Sequence, residues 1–175
     1  MAISSTINKV SVNISNMDSH YYASHELTIA QHPSENDFRF MIRLIAFIAN
    51  AHEQLSFTKG LSTDDEPELW QKSLTGEIDV WIDLGQLDEK RIRKACGRAK
   101  QVIIYTYHEG KASVWWQQQR CKLERFKNLT VFHVEADGIE AMVKRTMSLQ
   151  CSIQDGEMYL SDDSLNQDVH LEPYQ

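Results

Sequence analysis

The chain has 175 residues, 42% of them hydrophobic and 25% charged. That balance belongs to an ordinary globular protein and excludes a disordered or fibrous one, and the length suits one domain. A formal net charge of −7 excludes a whole-molecule attraction to nucleic acid, although residues 90–100 carry Lys90, Arg91, Arg93, Lys94, Arg98 and Lys100 with no acid among them.

The longest apolar stretch, Phe38 to Ala51, is broken by Arg39 and Arg43; it is too short and too charged to span a bilayer, and no membrane is expected as a partner. MAISSTINKV has no cationic start followed by an apolar run, so no secretory signal is read. Cys96, Cys121 and Cys151 are odd in number and widely spaced, which points to reduced thiols in a cytoplasmic protein, buried as small hydrophobes. No Cys or His pair has zinc-ligand spacing.

In chain order, alternation of Ile7, Val10, Val12 and Ile14 predicts a strand, and HELTIAQH a second one paired with it as a hairpin. Ser34 is the expected N-cap of a helix running to about His52, with Glu35 and Asp37 in its first turn. Apolar side chains surround most of that helix, so it should be buried on more than one side. Glu35, Arg39 and Arg43 share one face and are expected to form a surface ladder. Leu55–Phe57 and the segment from Glu68 to Lys72 are short strands separated by an acid-rich loop from Gly60 to Pro67.

EIDVWIDLG is the most informative segment. Ile78, Val80, Ile82 and Leu84 point one way; Glu77, Asp79, Trp81 and Asp83 point the other. A strand buried on both faces should not carry such a pattern, so the acidic face is expected to be wet or to open into a polar site. Gly85 ends the strand at a turn. Asp88 then caps a helix whose core stripe is Ile92, Ala95, Cys96 and Ala99, and QVIIYTY follows as a buried parallel strand. WWQQQRCKLERF reads as a helix, LTVFHVE as a strand, DGIEAMVKRTM as a helix and residues 148–161 as a hairpin around Asp155-Gly156. The acidic residues from Asp162 onward read as a loose tail. This gives a single α/β domain over 1–160 and a flexible tail over 161–175.

No glycine-rich phosphate loop, GxSxG or HExxH string is present. The chemistry-bearing feature is a set of acids beside a basic helix. Asp64, Asp65, Glu66 and Glu68 enter one strand and Asp83 leaves the next, so a hairpin brings them together. Carboxylates that converge repel unless a cation intervenes. A hard divalent ion would neutralise them and could activate water at a phosphodiester, with Lys90, Arg91 or Lys94 adding positive charge. The plain alternative is a solvated acid loop, Asp83 as a helix cap and a wet basic face.

HPSE at 32–35, FTKGLSTDDEPELW at 57–70, IDVWIDLGQLDEKRIRKACGRA at 78–99, VWWQQ at 114–118 and RTMSLQCSIQDG at 145–156 resemble the bacterial YaeQ family over nearly the whole chain. The resemblance implies a variant of the PD-(D/E)XK, restriction-endonuclease-like core: a helix, a mixed sheet with a three-strand meander, and a crossover helix, flanked here by N- and C-terminal hairpins. It implies Asp65 as the PD-type aspartate, Asp83 as the D/E and Glu35 as a third acid, together holding Mg²⁺ or Mn²⁺. The lysine expected two residues after Asp83 is replaced by Gly85, which leaves Lys94 or Lys90 as its substitute. Gln31 stands where the family often has Arg.

Two functions follow as expectations. One is a divalent-metal-dependent nuclease using Asp65, Asp83, Glu35 and Lys94 or Lys90 on DNA or RNA. The other is an inactive nuclease-like fold that binds nucleic acid, through Arg91, Arg93 and Arg98 of the basic helix, or a protein partner in transcription, with Trp115 and Trp116 as further anchors.

Overall fold

The computed structural model describes residues 4–59 and 65–175. Among them the fold is mixed α/β, with ten strands and three α-helices, and it divides into two compact units. No helix among the described residues is long and apolar enough to cross a membrane.

The first unit spans the chain up to Ile48 and Glu135–Leu171. Strands β1 (Thr6–Asn16) and β2 (Tyr21–Gln31) form the expected antiparallel hairpin, in register from Thr6↔Gln31 to Asn16↔Tyr21. Helix α1 follows (Asp37–Ala49). Its cap is Asn36, whose side-chain oxygen accepts from the Arg39 N–H at 2.8 Å, and not Ser34, whose hydroxyl is held by His32 Nδ1. Every residue from Phe40 to Ile48 is buried, as the all-round apolar pattern requires. Strand β8 (Thr146–Gln154) runs parallel to β1 and turns through Asp155-Gly156 into β9 (Glu157–Ser161). Both turn residues have positive φ, 52° and 78°, the geometry of a two-residue hairpin. The Asp18 carboxylate accepts both of their N–H groups at 2.8 and 2.9 Å.

The helix and tail expectations also fail in this unit. DGIEAMVKRTM forms only a short 3-10 turn, Ile139–Met142, because Gly138 enters it at φ 71° and Val143 leaves it extended. The acidic tail is not loose. Asn166–Pro173 forms β10, antiparallel to β9, with Val169 fully buried between exposed Asp168 and His170.

The second unit holds Ala49–Val134 and Glu172–Gln175. Strands β3 (Leu55–Phe57), β4 (Leu69–Lys72) and β5 (Ile78–Leu84) form an antiparallel meander. Helix α2 (Glu89–Arg98) crosses to β6 (Ala99–Thr106), which pairs parallel with β5. Helix α3 (Glu109–Leu123) then leads to β7 (Leu129–Glu135), parallel to β6. Trp81, Ile92, Ala95, Val102, Ile104 and Val131 belong to one apolar core between this sheet and α2 and α3. The last residues are pinned to it. Val131 exchanges backbone hydrogen bonds with Tyr174 and Gln175, and the Tyr174 ring stacks on His133 and Trp116, each at 5.5 Å.

Candidate functional site

Strand β5 places the candidate residues. Paired with β4 on one side and β6 on the other, it is buried over Trp81–Leu84 on both faces. The expected wet or open acidic face is closed at Trp81 and Asp83, where α2 lies over it and Trp81 joins the core with Ile92 and Ala95, while Glu77 is exposed and Asp79 partly so. Gly85 turns the chain with φ +91°, a conformation side chains rarely adopt. Asp88 then starts α2 by accepting the Arg91 N–H at 2.8 Å.

One turn into α2, Arg91 reaches back to the strand. Its Nε donates to Asp83 Oδ2 at 3.1 Å and its Nη2 to Asp83 Oδ1 at 3.0 Å. Nη2 also donates to the Glu66 carbonyl at 3.1 Å. The Trp81 indole N–H donates to Asp83 Oδ2 at 2.9 Å. Asp83, 3% exposed in its side chain against 25% for Arg91, is thus a buried carboxylate held bidentately and fully hydrogen-bonded.

The next two bases on the same side of α2 hold the loop ahead of β4. Lys94 Nζ meets Asp65 Oδ1 at 2.5 Å, and that hydrogen bond holds the Asp65 carboxyl below the usual range. Arg98 donates to the Asp65 carbonyl at 2.7 Å and lies 5.0 Å over the Trp81 ring. Glu68 is buried, its N–H bonded to the Ile82 carbonyl at 3.0 Å. Lys90 and Arg93 face solvent and make no ion pair with any described residue. At the other end of β5, Asp79 and Glu77 pair with Lys100 at 2.8 and 3.4 Å, raising the lysine pKa.

Glu35 belongs to the first unit, where it is buried rather than part of a surface ladder. Arg39 donates to its Oε1 at 2.9 Å and Arg43 to its Oε2 at 2.8 Å, and Arg43 also donates to the Ala30 carbonyl at 2.8 Å. Gln31, in the place of the family's Arg, donates to Asp37 Oδ1 at 2.9 Å and to the Glu35 carbonyl at 3.1 Å. Asp64 lies outside the described residues.

The structure therefore brings Asp65, Glu66 and Asp83 together with Arg91, Lys94 and Arg98, as hairpin geometry predicts. The cations between them, however, are side chains. Both oxygens of Asp83 and both of Glu35 accept hydrogen bonds from guanidinium groups, and Asp65 is 79% exposed and paired with Lys94. A divalent ion at these carboxylates would meet a positive charge already seated there, so in this arrangement they do not fit Mg²⁺ or Mn²⁺. Among the described residues no three His, Cys, Asp or Glu side chains stand together as a metal site.

The role of Arg91 as the partner of Asp83 was not assigned from the sequence. Its signal was the i, i+3, i+7 spacing of Arg91, Lys94 and Arg98 beside the Ile92/Ala95/Ala99 stripe, which puts three bases on one helix edge. The two tryptophans differ in exposure, Trp115 being buried and Trp116 only partly so. The Trp115 indole donates to the Leu87 carbonyl at 2.7 Å, and Trp116 packs on Tyr174. Of the thiols, Cys151 is buried and Cys96 partly so, while Cys121 is exposed.

The chain matches the family model described as "YaeQ protein" over residues 1–171. It is 44% identical to "Uncharacterized protein YaeQ" of Escherichia coli over 178 aligned positions, covering 100% of this chain and 98% of that protein. The crystal structure of YaeQ protein from Xanthomonas axonopodis pv. citri superposes with a TM-score of 0.95 at 40% identity, covering 98% of each chain. That from Pseudomonas syringae superposes with a TM-score of 0.92 at 32% identity, covering 98% of this chain and 96% of the other.

Proposed function

This chain belongs to the YaeQ family, and on that premise we propose that it is a nuclease-like fold that binds nucleic acid through the exposed face of α2 without cleaving it. The observation that carries the reading is the state of Asp83. The carboxylate in the place of the motif's metal ligand is buried and committed to Arg91 and Trp81. The position two residues on is a glycine at φ +91°, with no side chain to orient water or stabilise charge. Lys90 and Arg93, exposed on α2 and paired with no described residue, supply the phosphate contacts; Lys94 and Arg98 flank them.

Two or three phosphate contacts support affinities of roughly 10⁻⁴–10⁻⁶ M, falling steeply with salt. Fluorescence anisotropy with labelled single- and double-stranded oligonucleotides, in chelator and at low salt, tests this. Binding that persists in chelator and is lost in Lys90→Glu/Arg93→Glu agrees with it. No binding at low salt sinks it.

The divalent-metal-dependent nuclease is the second reading. Its support is Lys94, which reaches Asp65 at the head of β4 from the helix that can carry a displaced motif lysine. It requires Asp83 to exchange Arg91 for a metal. Oligonucleotide cleavage that needs Mn²⁺ or Mg²⁺ and disappears in Asp83→Asn would select it over binding alone.

A further inference from the structure

In the first unit, strand register sets a row of four side chains on the outward face of the sheet. Tyr22 on β2 stands opposite Ser15 on β1, Ser15 opposite Ser152 on β8, and Ser152 opposite Tyr159 on β9. The neighbouring row, two residues along each strand, is Ser24, Asn13, Gln150 and Ser161. Val12, Ile14, Leu149 and Cys151 alternate with these residues and are buried, so both rows point away from the core. Strand spacing puts the two tyrosines about 14 Å apart. They are 61% and 49% exposed, and neither ring nor hydroxyl has a partner among the described residues. Ser15 and Ser152 between them are small and half-buried. The result is a shallow trough with an aromatic wall at each end. We propose that this trough binds a neutral oligosaccharide, with sugar rings stacked on Tyr22 and Tyr159 and sugar hydroxyls hydrogen-bonded to Asn13, Gln150 and the serines.

Charge selects the ligand class. Neither row holds a charged residue, in a chain where 25% of residues are charged. The acids Glu26, Glu157 and Asp168 border the rows, Asp168 directly opposite Tyr159; the one lysine on the outward side of β1, Lys9, lies four residues from Asn13. A polyanion would find no cluster of cations here and would meet those acids. A sugar needs no ion. Its hydroxyls both donate and accept, as do the hydroxyls of serine and the amides of asparagine and glutamine. Its C–H faces pack on aromatic rings while the phenol hydroxyls stay wet. The side chains of the second row make no hydrogen bond to any described residue, so their donors and acceptors are uncommitted. A protein partner would need an apolar centre, which these rows lack. One sugar ring cannot touch both tyrosines, whereas a chain of several can. The inference is independent of whether α2 meets nucleic acid, because both rows belong to the first unit and α2 to the second.

The test titrates maltohexaose, cellohexaose and chitohexaose into the full chain by calorimetry and by NMR of backbone amides, with glucose as the single-ring control. At least one hexasaccharide should bind at one site and move the amide signals of Ser15 and Ser152. Glucose should bind at least about tenfold more weakly, because it engages one wall only. Tyr22→Ala and Tyr159→Ala should each weaken binding about tenfold, and the double variant should abolish it. Tyr22→Phe/Tyr159→Phe keeps both rings and should retain it. Ser152→Arg, which fills the floor of the trough, should abolish it independently; circular dichroism checks that each variant is folded. The proposal is overturned if none of the three hexasaccharides binds at millimolar concentration, or if glucose binds as tightly as the hexasaccharide. It is equally overturned by binding that persists in a folded double alanine variant or in Ser152→Arg, or by amide shifts confined to other strands. Oligonucleotide binding that Tyr22→Ala/Tyr159→Ala abolishes would give this face to nucleic-acid bases instead.

Discussion

Arg91 and Asp83 stand eight residues apart, one on α2 and one on β5, and meet through two parallel hydrogen bonds of 3.0 and 3.1 Å. The pair locks the crossover helix to the strand that precedes it. Because Asp83 is buried, losing either partner strands a charge or a donor. Asp83→Ala is expected to destabilise the fold by about 3 kcal/mol, the low end for a broken buried pair because Arg91 retains some solvent. Asp83→Asn should cost less, since the amide oxygen still accepts. Urea unfolding measures both; unchanged midpoints would show that the pair contributes nothing.

Gly85 has open space around it. A Cβ there would meet nothing nearer than the Tyr107 side chain at 3.9 Å. Its φ of +91° still disfavours any side chain. Gly85→Ala and Gly85→Lys should each cost about 1–2 kcal/mol from backbone strain, and the lysine should bring no metal affinity while Arg91 is present. Equal stability of wild type and Gly85→Lys in urea would contradict this.

In the first unit, Glu35 is held by two arginines with its side chain 2% exposed. Glu35→Gln removes the charge to which Arg39 and Arg43 both donate, and a loss of about 3 kcal/mol is expected. Arg39→Ala should cost less, because Arg39 is the more exposed partner. The order of the two urea midpoints is the check.

Burial raises three acids. Cys96 moves from 9.0 to about 11, Cys151 from 9.0 to about 12, and Tyr105 from 10.0 to about 12 despite its hydrogen bond from Asn50. Each keeps its proton longer folded than unfolded, so its contribution is complete below the unfolded pKa and is lost as pH rises through the folded value. Stability should therefore fall from about pH 9 towards pH 12. Thiol labelling at pH 8 should modify exposed Cys121 well before Cys151. Rapid labelling of Cys151 in the folded protein would contradict its burial.

Tyr174 stacks between His133 and Trp116. Tyr174→Ala should lower stability by about 1–2 kcal/mol for the lost aromatic contacts of a half-buried ring, read by thermal unfolding. No shift would restore the loose-tail expectation.

Much of the architecture was legible. Period-two alternation located β1, β5 and the β8–β9 hairpin, and Asp155-Gly156 marked its turn. Asp88 and the Ile92/Ala95/Ala99 stripe located α2 and its buried face. The missed elements had misleading composition. Asp168 and Glu172 made β10 look like a tail, although Val169 is the residue that anchors it. The segment after Gly138 had apolar spacing that suited a helix, but its backbone closes only one 3-10 turn.

The sequence by itself determined the strand–helix–strand order around β5 and α2, the direction of each side chain along β5 and the basic edge of α2, because these depend on local periodicity and capping. It also brought Asp65 and Asp83 to one end of a hairpin. Only the tertiary structure decided what lies between and against them. Whether a buried carboxylate faces water, a metal or an arginine depends on how a helix settles over a strand, and alternation along one strand carries no information about what covers it. Here α2 settles so that Arg91 reaches Asp83 and Lys94 reaches Asp65, and the charge balance of the site is set by those two contacts.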